Sequence, residues 1–457
     1  MMKPASKEAN PDKPENRTVL RPMQRRIMWL VSVVFFFEFA DLNTFAYAAP
    51  ALRSFAGFSL GDVATVTSAG FLGMFLGAVL VGYVSDRIGR RRALTYSTVL
   101  FSIFSLLTAL CTGVAPFLAV RFLTGVGLSA MTVVAITYLN EVMPAGVRGR
   151  VQGTTLAVGL AGIPAVSFFA RGVVPLGADG WRLIFVFGAL ALLIAAPLYK
   201  LPESPRWLAL HGHRERADTA HAQLGLEAGG LEASDPTTEP ASRERFRMLM
   251  SPALRGRTVV LFVTWVLAML GFYAFASWVP SLLAEHGMTL TKSLLFSSIT
   301  TLGAVPGALL ARAIADRFSR KTLMAVVAVV IAAAGVAYGF SSSTAGILVF
   351  GTAVALLSQT FVAIIYTYTP EVFPTAARAS GCGLVYGAGR LANVFGPLLV
   401  PAIFVGLGYA PVFIFIAGCW LVAGIVVAVF GPSTNGSGES EVTSARLGPS
   451  ITDGEPA

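Results

Sequence analysis

The chain has 457 residues and a formal net charge of +10, yet it is 55% hydrophobic and only 13% charged. A soluble domain carries roughly 25% charged residues, so half of the usual polar surface is missing and a set of water-facing domains is excluded. The basic excess sits in short clusters between apolar runs, not among aromatics on one face, which argues against nucleic acid and for a lipid bilayer as partner.

In chain order, residues 1–25 are polar and read as a disordered cytoplasmic tail rather than a cleavable leader. Apolar runs then follow, each near the ~20 residues that cross a bilayer core. The first covers 27–50 and is expected to end at Pro50; the next fit at 63–83, 93–112, 115–140, 150–172 and 181–201. Together they predict a six-helix bundle over 26–201. The polar segment 202–256 is long enough for short amphipathic helices but not for a domain with its own core. Six more runs fit at 257–283, 291–314, 321–340, 345–369, 381–405 and 409–431, a second bundle over 257–431. Residues 432–457 are rich in Gly, Ser and Glu and read as a second disordered tail. The expected fold is an all-α membrane protein of about twelve transmembrane helices.

Arg87, Arg90, Arg91 and Arg92, the pair Arg148 and Arg150, the 202–256 segment, the set Arg317, Arg320 and Lys321, and Arg378 fall on alternate connections. Positive charge marks the cytoplasmic side, so both termini are expected there, in a multi-pass protein of the cytoplasmic (inner) membrane. The sequence also repeats itself. Asp86-Arg87 recurs as Asp316-Arg317, Glu141-Val142 as Glu371-Val372, and Pro50 as Pro280, each 230 residues on. A single register for three landmarks predicts two parallel halves around a central cavity near the midplane.

The stretch Gly82-Tyr-Val-Ser-Asp86-Arg87-Ile-Gly89-Arg90-Arg91 resembles the loop signature of the major facilitator superfamily. Arg121-Phe-Leu-Thr-Gly125-Val-Gly127 is similar to its fourth-helix motif. Pro202-Glu203-Ser204-Pro205-Arg206-Trp207-Leu208 and Pro370-Glu371-Val-Phe-Pro374-Thr375, with Arg378, resemble motifs of its sugar-porter and organic-ion branches. The second loop copy departs from the first, with Arg312 in place of Gly82 and Ser319 in place of Gly89. The resemblance implies gating roles for Asp86, Arg87, Arg90, Glu141, Arg148, Glu203, Arg206, Asp316, Arg317, Glu371 and Arg378. In such a gate Asp86 would face a helix N-terminus, and Arg90, Arg148 and Arg378 would pair with Glu141, Glu203 and Glu371.

Ionisable groups at membrane depth are costly unless paired or solvated, so each is a functional candidate. Glu38, Asp41, Arg121 and Arg390 stand out. Glu38 and Asp41 are three apart and share a helix face. Asp41 and Arg390 break the repeat, since Gly271 and Leu160 occupy the matching positions. By resemblance to proton-coupled relatives, Asp41 and Glu38 accept the proton with Arg121 as partner; Glu38 stands where aromatic-acid symporters carry Asp. Arg390, in Gly387-Ala-Gly389-Arg390-Leu-Ala-Asn393, offers a planar fork to a carboxylate. Phe37, Phe45, Tyr47, Phe272, Tyr273, Trp278, Gln359, Tyr366 and Asn393 complete the expected substrate site, the aromatics as stacking surfaces.

Cys111, Cys382 and Cys419 lack metal-ligand spacing, the four histidines lie outside the apolar runs, and no phosphate-binding loop is visible. An enzyme is not indicated. The reading is a monomeric secondary transporter without a cofactor, with the proton as coupling ion and a small, aromatic organic anion as substrate. A sugar or polyol symporter, an exporter of lipophilic cations and a transport-dead sensor stay open beside it.

Overall fold

The computed structural model describes residues 20–226, 247–315 and 317–433, all-helical with no strand among them. The first half holds α1 (Pro22–Ala56), α2 (Leu60–Ile88), α3 (Arg90–Thr108), α4 (Val114–Val142), α5 (Ala145–Leu160), α6 (Gly162–Val173), α7 (Arg182–Ala189) and α8 (Leu192–Tyr199). Two short helices follow, α9 (Pro205–Leu210) and α10 (Arg214–Leu224). Both lie within the 202–256 segment. The second half holds α11 (Arg255–Glu285), α12 (Leu290–Thr301), α13 (Ala304–Ile314), α14 (Arg320–Gly339), α15 (Thr344–Val372), α16 (Thr375–Leu407) and α17 (Tyr409–Phe430). Both expected tails, apart from residues 20–25 and Pro432–Ser433 at their inner edges, lie outside the described residues.

Eleven described segments are long and apolar enough to cross a bilayer, with α5–α6, α7–α8 and α12–α13 each forming one span. The nineteen-residue α3 is not among them. Its first turn is Arg90-Arg91-Arg92, and its buried face is rich in hydroxyls: Thr95, Ser97, Thr98, Ser102, Ser105 and Thr108. Those hydroxyls are tolerated because they bond inward, Thr98 to the Leu94 carbonyl and Ser102 to the Thr98 carbonyl, for example.

The first and seventh runs do not end where their prolines suggested. Pro50 and Pro280 both lie inside helices, α1 and α11. An interior proline forfeits one backbone hydrogen bond and crowds the carbonyl four residues back, which membrane helices tolerate where neighbouring helices satisfy the freed group. What stops α1 is Gly57, whose φ of 72° is a left-handed cap that only glycine adopts without strain. The turn into α2 is a capping box: the Asp62 N–H donates to Ser59 Oγ at 3.0 Å, and the Ser59 N–H to Asp62 Oδ2 at 2.9 Å.

The internal repeat is structural as well as sequential. Helices α4 and α15 are both 29 residues long and start 230 apart. Arg90 pairs with Glu141 at 3.3 Å across α3 and α4, and Arg320 pairs with Glu371 at the same offset across α14 and α15. Within the first half, α2 and α4 approach so closely that a Cβ on Gly73, Gly77 or Gly125 would meet the opposing backbone, the packing by small residues that membrane helices favour.

The halves meet along α1 with α11, α2 with α16, and α6 with α12. Arg53, at the end of α1, pairs with Glu285 at the end of α11. Ser167 of α6 and Thr301 of α12 share a hydrogen bond of 3.1 Å. Arg390 of α16 reaches Ser129 of α4 midway along both helices.

Candidate functional site

Helix α1 carries the two buried acids one turn apart, on a face turned towards the rest of the first half. Asp41 is fully buried. Its Oδ1 accepts from Ser105 of α3, and its Oδ2 accepts from Arg121 of α4 at 3.3 Å. The same guanidinium reaches Thr44 Oγ1 and the Asp41 carbonyl, each at 3.4 Å. Phe45 and Phe185 flank it, with ring centres 6.0 and 5.8 Å away. Gly188 of α7 leaves the space that the carboxylate fills. Asp41 and Arg121 therefore form a closed, hydrogen-bonded ion pair, as the sequence suggested. Burying the charges is tolerable because each is met by an opposite charge and by polar partners.

Glu38 is 4% exposed. Its Oε1 accepts from Thr132 of α4 at 3.0 Å, while its buried Oε2 has no partner. One turn from Thr132 on the same helix, Ser129 receives Arg390 from the second half. Arg390 is near enough to act electrostatically on Glu38, and also on Tyr273 of α11 and Tyr366 of α15. A guanidinium from one repeat thus bonds a hydroxyl of the other and lies within electrostatic reach of its carboxylate.

The remaining expected substrate residues divide. Phe272 and Tyr273 pack ring to ring, centres 5.0 Å apart, and Tyr273 meets Phe71 of the first half at 4.9 Å. Tyr366 packs against Trp265 at 4.7 Å and Tyr386 at 5.1 Å. Gln359 and Asn393 are buried, the latter with its Oδ1 unpartnered. Trp278 is buried with a free indole N–H. Phe37 lies against Phe36 and Phe187 inside the first half. Tyr47 sits beside Ser167 and Thr301, where the halves touch. A cavity of about 30 Å³, lined by Phe45, Phe71, Met74, Arg121 and Gly125 of the first half, among others, and by Ser277 of the second, lies against the first half; it has room for a water molecule or so, not for an aromatic ring.

Sequence reading missed Ser105, Ser129, Thr132, Trp265 and Tyr386. The hydroxyls did leave a signal. Arg121, Gly125, Ser129 and Thr132 follow helical spacing along one face of α4.

The gating set is rearranged relative to expectation. Arg90 bridges Glu141 and Asp86, the latter at 2.5 Å. Asp86 is largely exposed; the carboxylate that caps a helix is Glu203, which accepts the Arg91 N–H at 2.9 Å at the start of α3. Short of a side chain at Gly89, whose φ is 97°, Glu203 can approach closely. Arg148 donates to the Met143 carbonyl at 2.9 Å instead of pairing with a glutamate, and Arg378 donates to the Phe373 carbonyl at the matching position. The ion-pair partner of Glu371 is Arg320. Arg87 lies over the Tyr83 ring, and Arg206 and Arg317 are exposed. Asp316 lies outside the described residues. These ion pairs each join helices of one half, because the acidic and basic ends they connect belong to the same bundle.

Two parallel helical repeats, enclosing buried charges where they meet, define a membrane transporter. The sugar (and other) transporter family matches residues 26–445, and the chain belongs to that family, within the major facilitator superfamily; it is a transporter and not an enzyme. Among its relatives is YyaJ of Bacillus subtilis strain 168, whose name assigns it to metabolite transport, 41% identical over 92% of this chain and 95% of that protein. The niacin transporter NiaP of Acinetobacter baylyi is 28% identical over 90% and 94%. The 4-hydroxybenzoate transporter PcaK of Pseudomonas aeruginosa is 29% identical over 86% and 89%. The fold matches the xylose transporter XylE from E. coli in a partially occluded inward-open conformation, with a TM-score of 0.73 and 21% identity over 91% of this chain and 99% of that one.

Proposed function

We propose that the chain is a proton-coupled symporter of small aromatic carboxylates. It works by alternating access in the cytoplasmic membrane with both termini inside, and α3 serves as the twelfth span. The observation that carries this reading is Arg390, a guanidinium at the meeting of the two halves, near Glu38, Tyr273 and Tyr366, the last packed against Tyr386. A planar fork suits a carboxylate, and aromatic faces suit a planar ring. The names of NiaP and PcaK support the same chemistry, since niacin and 4-hydroxybenzoate are both ring carboxylates. Proton coupling is supported by the buried acids Glu38 and Asp41 with Arg121. Movement of one half against the other changes their surroundings and hence their hold on a proton.

The test is uptake of labelled nicotinate, benzoate and 4-hydroxybenzoate into proteoliposomes under an imposed pH gradient, with xylose as comparison. Accumulation of an acid that collapses with a protonophore, and falls at least about tenfold in Arg390→Ala, a loss of the size expected when a charged hydrogen-bond donor is removed, supports the reading. Uptake of xylose but no acid, or accumulation indifferent to the protonophore, defeats it.

A further inference from the structure

The two buried acids of α1 are not equivalent. Both carboxylate oxygens of Asp41 accept hydrogen bonds, from Ser105 and Arg121. A proton placed on Oδ2 would lie against the Arg121 guanidinium, whose positive charge opposes it. Glu38 has one oxygen bonded to Thr132 and a second, Oε2, that is buried and bonded to nothing. A proton there breaks no bond. Glu38 and Arg390 are also anchored to the same face of α4, through Thr132 and Ser129, which are three residues apart. The ionisable groups around Glu38 are Arg390, Asp41, Tyr273 and Tyr366, from three other helices and its own.

We propose that Glu38 is the internal stand-in for the transported anion: its carboxylate faces Arg390 while the carrier is empty, and it takes up one proton at Oε2 when an organic carboxylate arrives to claim the guanidinium. This assignment rests on the reading of the chain as a carboxylate carrier. The physical reason is charge balance around the buried carboxylate of Glu38. Two carboxylates against one guanidinium leave an uncompensated negative charge at low dielectric, and like charges at such a site do not both stay ionised. Neutralising one of them restores the balance of the empty state. Glu38 is the one that can accept the proton, since the arriving anion needs its charge to bind Arg390. The O–H bond formed at Glu38 is matched by one broken in hydronium from the open side, which leaves as water. On release of the anion, the proton leaves and Glu38 again faces Arg390. One proton then travels with each monovalent anion, and the cycle moves no net charge through this site.

The test is isothermal titration of the purified full-length protein with nicotinate, benzoate and 4-hydroxybenzoate. Two buffers of different ionisation enthalpy give the number of protons taken up per anion bound. The wild type should take up about one. Glu38→Gln should bind the anion several-fold more tightly, because its internal rival is gone, with proton uptake near zero and affinity flat with pH. Should Glu38→Gln not yield a monodisperse protein, Thr132→Val is the second variant. It removes the hydroxyl that favours the ionised form, so anion binding should persist to higher pH than in the wild type. Unchanged proton uptake in Glu38→Gln, or an unmoved midpoint in Thr132→Val, overturns the proposal and leaves the carrier reading standing. Loss of anion binding in well-folded Glu38→Gln overturns it too, by making Glu38 part of the anion site. Absence of any acid binding to the wild type would instead overturn the carrier reading, and the role of Glu38 with it.

Discussion

The hydroxyl of Tyr138 donates to the carbonyl of Pro202 at 2.6 Å, and 230 residues on, the hydroxyl of Tyr368 donates to the carbonyl of Pro432 at 2.7 Å. Each bond ties the fourth long helix of a half to the chain that leaves the last one. Tyr138→Phe and Tyr368→Phe each remove one such bond, worth about 0.5–1.5 kcal/mol. The expected fall in melting temperature is roughly 2–4 °C apiece, with additive effects in the double variant because the sites lie in different halves. A thermal melt in detergent, followed by intrinsic fluorescence, measures both.

The Asp41–Arg121 pair predicts a sharp asymmetry between single and double substitution. Arg121→Ala alone leaves a buried carboxylate with Ser105 as its remaining side-chain partner, and breaking a buried pair this way costs about 3–5 kcal/mol. Removing both charges, in Asp41→Asn with Arg121→Met, should recover much of that stability while abolishing gradient-driven accumulation. Melting temperature and proteoliposome uptake, measured on the three variants, separate the structural effect from the functional one.

Where α1 and α11 end, Arg53 and Glu285 join the halves while remaining partly exposed, at 21% and 29%. An ion pair of that exposure contributes about 0–1 kcal/mol. Arg53→Ala should therefore raise the population open at this end by up to about fivefold. The readout is labelling of cysteines placed on the facing ends of α1 and α11. The charge swap Arg53→Glu with Glu285→Arg should return labelling to the wild-type rate.

The contact of α2 with α4 gives a prediction about packing alone. Gly125→Leu would drive a side chain into the backbone at Gly70 and Met74. Overpacking of this kind costs about 1–3 kcal/mol or more, and here the obstructing atoms are main chain and cannot rotate away. The expected outcome is loss of the monodisperse peak on size exclusion, whereas Gly82→Ala, with open space around the glycine, should be neutral.

Much of this architecture could be read from residue order because lipid imposes a simple rule: backbone polar groups must be satisfied within the helix, so apolar runs of fixed length become spans. The family resemblance implied the pairing of Arg90 with Glu141, but it gave Glu371 to Arg378, whereas Arg320 takes it at the offset of 230 residues. Pairing partners were less legible. Glu203 caps α3 in the place given to Asp86, and Arg148 turns to a carbonyl, because these choices depend on how loop ends meet in space. Charges in apolar runs singled out Asp41 and Arg121, and the family resemblance implied their pairing. Ser129 and Thr132 shared the helical face of Arg121, but Ser105 on α3 had no such marker, since hydroxyls in membrane helices mostly bond to their own backbone, as Thr98 and Ser102 do. Residue type did not separate Phe37 and Tyr47, which pack into helix contacts, from Tyr366, which stands near Arg390.

Because Arg390 comes from the second repeat while Glu38, Ser129 and Thr132 come from the first, neither bundle owns the anion site that we propose. Two polypeptides cut at the 202–256 segment and produced separately would each be a silent scaffold. Recognition would be born only on their reunion, which makes ligand affinity a direct gauge of how faithfully the two fragments have joined.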